Sequence, residues 1–173
     1  MAAPRPLTFL KALIAEAELR FGGRIEPSAR ILVGLIDQGP PFAWMTSGPT
    51  SIVFVGQDLL DDVDTLTYQL AHEALHCLGT CRATSALEEG LGTLFGLDNS
   101  MLPKVRSETE RHCLDPERAG YLKDVEELLA IDPDIVRNLR RPPRPFEAIE
   151  AADLTACGVP ADLVGRLCRS TGT

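Results

Sequence analysis

With 173 residues, 45% of them hydrophobic, the chain suits one compact domain with a real core and is short for two well-buried ones. Its 17 basic and 25 acidic side chains leave a net charge of −8, which disfavours a phosphate-backbone binder, so no nucleic-acid partner is expected. The longest apolar runs, such as Ile31 to Ile36 and Ile52 to Val55, fall far short of the roughly 18 to 20 residues that cross a bilayer. No membrane span is expected.

Lys11, Glu16 and Glu18 interrupt any apolar core that a secretory signal would need, so the expected compartment is the cytoplasm. Cys77, Cys81, Cys113, Cys157 and Cys168 make an odd set of five, which argues against a disulfide framework and for mostly buried thiols. From Pro6 to Arg20, Leu7, Leu10, Leu13, Ile14 and Ala17 recur at spacings of three and four, and Gly22-Gly23 follows. That pattern predicts an amphipathic helix with a glycine stop.

Three short β-branched or aromatic runs come next: Arg30 to Ile36, Phe42 to Met45, and Ser51 to Val55. Asp37-Gln38-Gly39-Pro40-Pro41 and Ser47-Gly48-Pro49 separate them as turns, predicting a small, mostly antiparallel sheet. Trp44 is expected in the core by the usual burial of large aromatics. Asp58 to Asp62 offers N-caps and negative charge for a helix whose apolar stripe runs Val63, Leu66, Leu70, Ala74, Cys77 and Leu78 and stops at Gly79. A second helix spans about Thr84 to Phe95, where Gly90, Gly92 and Gly96 each weaken it by about 1 kcal/mol relative to alanine. Glycine at that density demands a packing reason. Ser107 to Ala130 reads as one or two helices broken near Asp115-Pro116, with a short helix from Pro133. Arg140-Arg141-Pro142-Pro143-Arg144-Pro145 reads as an extended, exposed linker. It divides a main domain, residues 1–139, from a weakly helical appendage, residues 146–173.

The informative stretch is Tyr68-Gln69-Leu70-Ala71-His72-Glu73-Ala74-Leu75-His76-Cys77-Leu78-Gly79. Histidines four apart on a helix stack on one face, so both imidazoles reach a common metal ion. Glu73, about 100° around from His72, lies beside that face, placed to take a proton from water at the metal. At this chain's composition His-Glu-x-x-His arises by chance with a frequency of about 0.004, so chance explains it poorly.

Over roughly residues 50 to 100 the chain resembles the zincin metallopeptidases. The resemblance implies that His72 and His76 are Zn2+ ligands and Glu73 the catalytic base. A catalytic zinc keeps an open position and takes a third protein ligand. The metzincin extension is matched by Gly79, but its final ligand position holds Arg82, a cation unable to ligate. Asn99-Ser100-Met101-Leu102-Pro103 is a weak echo of that group's methionine turn. The gluzincin pattern takes a glutamate from the following helix, and Leu87-Glu88-Glu89-Gly90-Leu91-Gly92-Thr93 is similar to it, with Glu89 as third ligand. Ser85, Glu89, Gly92, Thr93 and Gly96 share one helical face, small enough for close helix approach. Glu88 would then be a supporting or solvent group, and Glu88 and Cys81 stay open as alternative ligands. The separation from His76 to Glu89, 13 residues, is shorter than in many gluzincins. Oxyanion-stabilising candidates are His112 and Tyr121, with Arg111 nearby, and Ser51 to Val55 is the candidate substrate-pairing strand.

The expected protein is thus an α+β zincin-like metallopeptidase, a small sheet packed with an active-site helix and a glutamate-bearing helix, acting on a peptide or protein substrate. Two other readings stay open: a non-catalytic zinc scaffold, and a metal-dependent hydrolase of a non-peptide bond.

Overall fold

A computed structural model describes residues 6–37, 39, 42–45, 49–80, 84–100 and 116–171. The described elements run α1 (Pro6–Phe21), β1 (Arg30–Ile36), β2 (Phe42–Met45), β3 (Thr50–Gly56), α2 (Val63–His76), α3 (Ala86–Asn99), α4 (Pro116–Ile131), α5 (Ile135–Leu139), α6 (Ala151–Ala156) and α7 (Ala161–Leu167). The α+β class expected from the sequence is the observed one. Among the described residues no helix is long and apolar enough to cross a membrane.

The sheet is mixed, in the order β1-β3-β2. β2 pairs antiparallel with β3, Ala43 opposite Val53, whereas β1 lies parallel to β3, Val33 opposite Val53. The antiparallel expectation therefore holds for one of the two pairings. β3 is central and has both edges paired, so it cannot serve as the substrate-pairing strand. Among the described residues the free edges belong to β1 and β2.

Helices cover one face of the sheet, and on the other Leu32, Phe42 and Trp44 are exposed. Ser51, Val53 and Val55 point inward and are buried, in step with the period of two along a strand. Trp44, of opposite parity, is 60% exposed, which corrects its expected place in the core. It stands in a row with Ile52 and Leu32 across the outer face. Phe42, on the same face, stacks on Phe54 with ring centroids 4.8 Å apart, and Gly34 leaves room for the Phe54 ring beside it.

Caps fix the two central helices. Asp62 accepts from Thr65 N at 3.1 Å to start α2, and Ser85 accepts from Glu88 N at 3.2 Å to start α3, each satisfying an otherwise orphaned amide. α1, α2, α3 and β3 share one core, in which Phe21 meets Phe95 edge to face at 5.8 Å. Phe146, Leu154, Leu163 and Leu167 belong to the same cluster. The segment expected as an appendage is built into the main core.

The most consequential correction is Arg140, expected in a solvated linker and found with no exposure at all. Its guanidinium donates to the carbonyls of Phe21 (2.9 Å), Gly22 (3.1 Å), Gly23 (3.1 Å), Leu78 (3.0 Å) and Arg144 (2.8 Å), and it lies 4.1 Å from the Phe146 ring centroid. Those carbonyls include ones that accept no bond within their own helix where α1 and α2 end, Leu78 O also taking the Ile25 amide at 3.2 Å, and a helix C-terminus favours positive charge. Burial pulls the guanidinium down to about 10, against the charges of Glu88 and Glu147, so it stays a cation at neutral pH. Gly22 turns beneath it at φ +96°, a backbone shape that glycine adopts without strain.

The thiols divide. Cys77 is buried, but Cys157 and Cys168 are exposed, against the expectation of burial; Cys81 and Cys113 lie outside the described residues. Replacing Arg140 by methionine should destabilise the fold by at least about 3 kcal/mol, because several buried carbonyls lose their donor together. Urea unfolding measures this, and a loss below about 1 kcal/mol would mean that water takes over the contacts.

Candidate metal centre

Two helices supply the site, and the stripe of glycines on α3 determines how closely they meet. A Cβ on Gly92 would sit 3.0 Å from the His72 ring, and one on Gly96 would sit 2.7 Å from the Tyr68 ring. On the other side of α3, a Cβ on Gly90 would fall on the carbonyl oxygen of Tyr121 in α4. Each glycine thus receives a neighbour, the packing reason their density demanded.

The approach brings the histidines of α2 opposite the glutamates of α3. The His72 and His76 ring centroids are 4.9 Å apart. Glu89 faces both: its Oε2 is 3.5 Å from His72 Nε2 and its Oε1 is 3.7 Å from His76 Nε2. These separations are long for hydrogen bonds. They lie near the ~3.3 to 3.4 Å at which a tetrahedral ion with bonds of about 2.0 to 2.1 Å holds its ligand atoms.

Glu88 occupies a different place although it is the adjacent residue. Its side chain is almost fully buried, and its Oε1 meets His76 Nδ1 at 2.8 Å. Where Glu88 is ionised it only accepts, so Nδ1 donates to it, and when His76 gives up its Nε2 proton that nitrogen's lone pair is the one available to the site. Glu88 is a support for His76 rather than a third donor facing both rings. His72 Nδ1 is buried without a described partner, pressed against Gly92. Glu73 shares the cluster: one ligand-type atom from each of His72, Glu73 and His76 falls within 4.8 Å of the others. The Ala43 backbone on β2 also acts on its carboxyl, pulling it down.

The charges balance locally. Burial pushes the Glu73 carboxyl up, against the pull of both imidazoles. Burial opposes charge on His76, but the Glu88 hydrogen bond and the surrounding carboxylates carry it up to about 9. For Glu89 burial acts upward, and the two facing imidazoles, His72 foremost, bring it down to about 2. His72 and Glu89 keep 16% and 22% of their side chains exposed, so solvent reaches the site from their side.

The structure therefore brings together His72, Glu73, His76 and Glu89. It does not bring in Tyr121, which is buried in α4 and meets α3 through its backbone at Gly90; among the described residues no contact joins its hydroxyl to the imidazoles. His112, Arg111, Cys81, Arg82 and Met101 lie outside the described residues. Sequence reasoning missed the Ala43 backbone, which lies outside the motif and carries no signal of its own.

No protein family, curated protein or solved structure matches the chain, so the geometry alone speaks for the site. Gly90→Ala should destabilise the protein by about 2 kcal/mol or more, although alanine favours a helix by about 1 kcal/mol, because the added carbon meets backbone. Gly165→Ala on α7, with nothing within 4 Å of its added carbon, should instead stabilise by about 0.5 to 1 kcal/mol. Thermal unfolding of the two variants compares them directly, and equal shifts would contradict the close approach of α3 and α4.

Proposed function

We propose that the protein is a zinc-dependent peptide hydrolase, with His72, His76 and Glu89 holding the metal and Glu73 acting as general base. The observation that carries this reading is the pair of Glu89 oxygens facing two imidazole Nε2 atoms at 3.5 and 3.7 Å. Two neutral imidazoles and a carboxylate are the donor set of a catalytic zinc with one open position. Among the alternatives, Glu88 is spent on His76 Nδ1, which favours Glu89 as the third donor.

A bound zinc ion would supply Lewis-acid polarisation of water and of the scissile carbonyl. Glu73 would take the proton of the attacking water as its oxygen adds to the carbonyl carbon, then deliver it to the amine nitrogen as the C–N bond breaks. Glu88 holds the His76 ring in one tautomer and orientation throughout. The free edge of β2, with Ala43 beside Glu73, supports substrate pairing along Phe42–Met45 instead of along β3, since an extended peptide adds to an open strand. We place the protein in the cytoplasm, a reading supported by the odd number of cysteines, five, in the chain.

The decisive comparison is elemental analysis beside a peptidase assay. His72→Ala and Glu89→Ala should each lose stoichiometric zinc. Glu73→Gln should keep zinc while turnover on an unstructured protein such as casein falls by about 10²-fold or more. Zinc retained in Glu89→Ala would remove that residue from the donor set. Zinc present in the wild type without hydrolysis of any peptide would leave a metal scaffold.

A further inference from the structure

At the end of the sheet away from β2, the outer edge of β1 has no partner strand among the described residues. A groove of about 580 Å³ lies there, between β1 and α1, and Arg30, Ile31 and Leu32 all border it. Successive side chains of a strand point to opposite faces, so a groove that meets three in a row follows the strand's edge. Arg30 N donates to Pro49 O at 2.8 Å on the β3 side. By the period of two, the main-chain groups of Ile31 and Val33 turn the other way, toward the open edge.

The groove combines an apolar floor with a basic rim. Leu7, Lys11, Ile14 and Glu18, at spacings of four and three, present one face of α1 to it, and Ile14 and Ile31 are buried beneath. Lys11, Arg24 and Arg30 stand there against a single acid, Glu18. Arg24 takes that acid, its Nε 2.9 Å from Glu18 Oε1, and Lys11 and Arg30 have no ion-pair partner among the described residues. The result is a cationic groove on a chain whose net charge is −8.

We propose that this edge is a docking site for an extended acidic segment of a partner protein, which adds to β1 as a fourth strand. Main-chain pairing supplies affinity with little regard to sequence, and the cations select carboxylates. Alternate apolar residues of the incoming strand would cover Ile14 and Ile31. A second copy of β1 would bring the same cations alongside, a juxtaposition that protects an edge from self-association. A nucleic acid would match the charge but leave the floor and the strand amides unused. The site is at the opposite edge of the sheet from β2, so it stands apart from the zinc reading.

The probes are two fluorescently labelled peptides, one of four Asp-Val repeats and one of four Lys-Val repeats, titrated against the full chain by anisotropy at low ionic strength. Amide hydrogen exchange, followed by NMR, reports where they bind. The Asp-Val peptide should bind at least about 10-fold more tightly than the Lys-Val peptide, and the double variant Lys11→Glu, Arg30→Glu should reverse that preference. Both replaced side chains are exposed, and the reversal itself shows that the variant is folded. Saturating Asp-Val peptide should slow exchange at the Ile31 and Val33 amides at least about 10-fold. Absence of binding, equal affinity for the two peptides, or a preference that survives the double variant would overturn the docking site. Binding that leaves Ile31 and Val33 unprotected would overturn strand addition, and tighter binding of an octathymidylate than of the Asp-Val peptide would reassign the groove to nucleic acid.

Discussion

The distance between α2 and α3 is the constraint on which the site depends. The His72 ring lies where any side chain on residue 92 would stand, and the Tyr68 ring does the same at residue 96. Interiors pack densely enough that a single added carbon must displace a neighbour. Glycine therefore sets the spacing, and the spacing sets whether one carboxylate on α3 addresses two imidazoles on α2. The stability lost by putting glycine inside a helix is the cost of that proximity.

Much of this was legible in the sequence because it is local. The apolar stripe of α2, the stop of α1 at Gly22-Gly23 and the shared face of Glu89, Gly92 and Gly96 all follow from a period of 3.6 residues. The histidine pair with its adjacent glutamate follows from the same geometry. What failed was information about neighbours distant in the chain. An apolar strand declares that it is buried, not which strand lies beside it, so the parallel pairing of β1 with β3 was hidden. Trp44 has the size of a core residue, but a three-stranded sheet covered by helices on one side leaves its other face open. The fate of Glu88 was half visible: the wheel set it apart from Glu89, yet only the fold shows the His76 nitrogen that receives it.

Arg140 is the clearest case. In sequence it belongs to a run of arginines and prolines that reads as solvent-exposed chain. In the fold it closes the ends of α1 and α2, where carbonyls have no partners within their own helices. A cation with five donors in a planar fork suits such a cluster as no lysine would. Its location also puts a buried positive charge near Glu88, whose carboxyl burial pushes up and the His76 hydrogen bond pulls back down. The segment after α7 meets the chain just before α3, Thr171 Oγ1 lying 2.6 Å from Thr84 Oγ1, so the remote end of the chain reaches both helices of the candidate site.

The proposed donors and the remote contacts beside them differ sharply in how far apart they lie along the chain. His72, His76 and Glu89 fall within one helical hairpin, and closing the 13 residues between the second histidine and the glutamate costs only about 2 kcal/mol of loop entropy. Thr171 and Arg140 reach their partners across 87 and 62 residues. During synthesis the hairpin leaves the ribosome well before either remote contact exists, so the order of synthesis favours two stages for the candidate site: a nascent clasp of low contact order, then a late fastening that only the finished fold supplies.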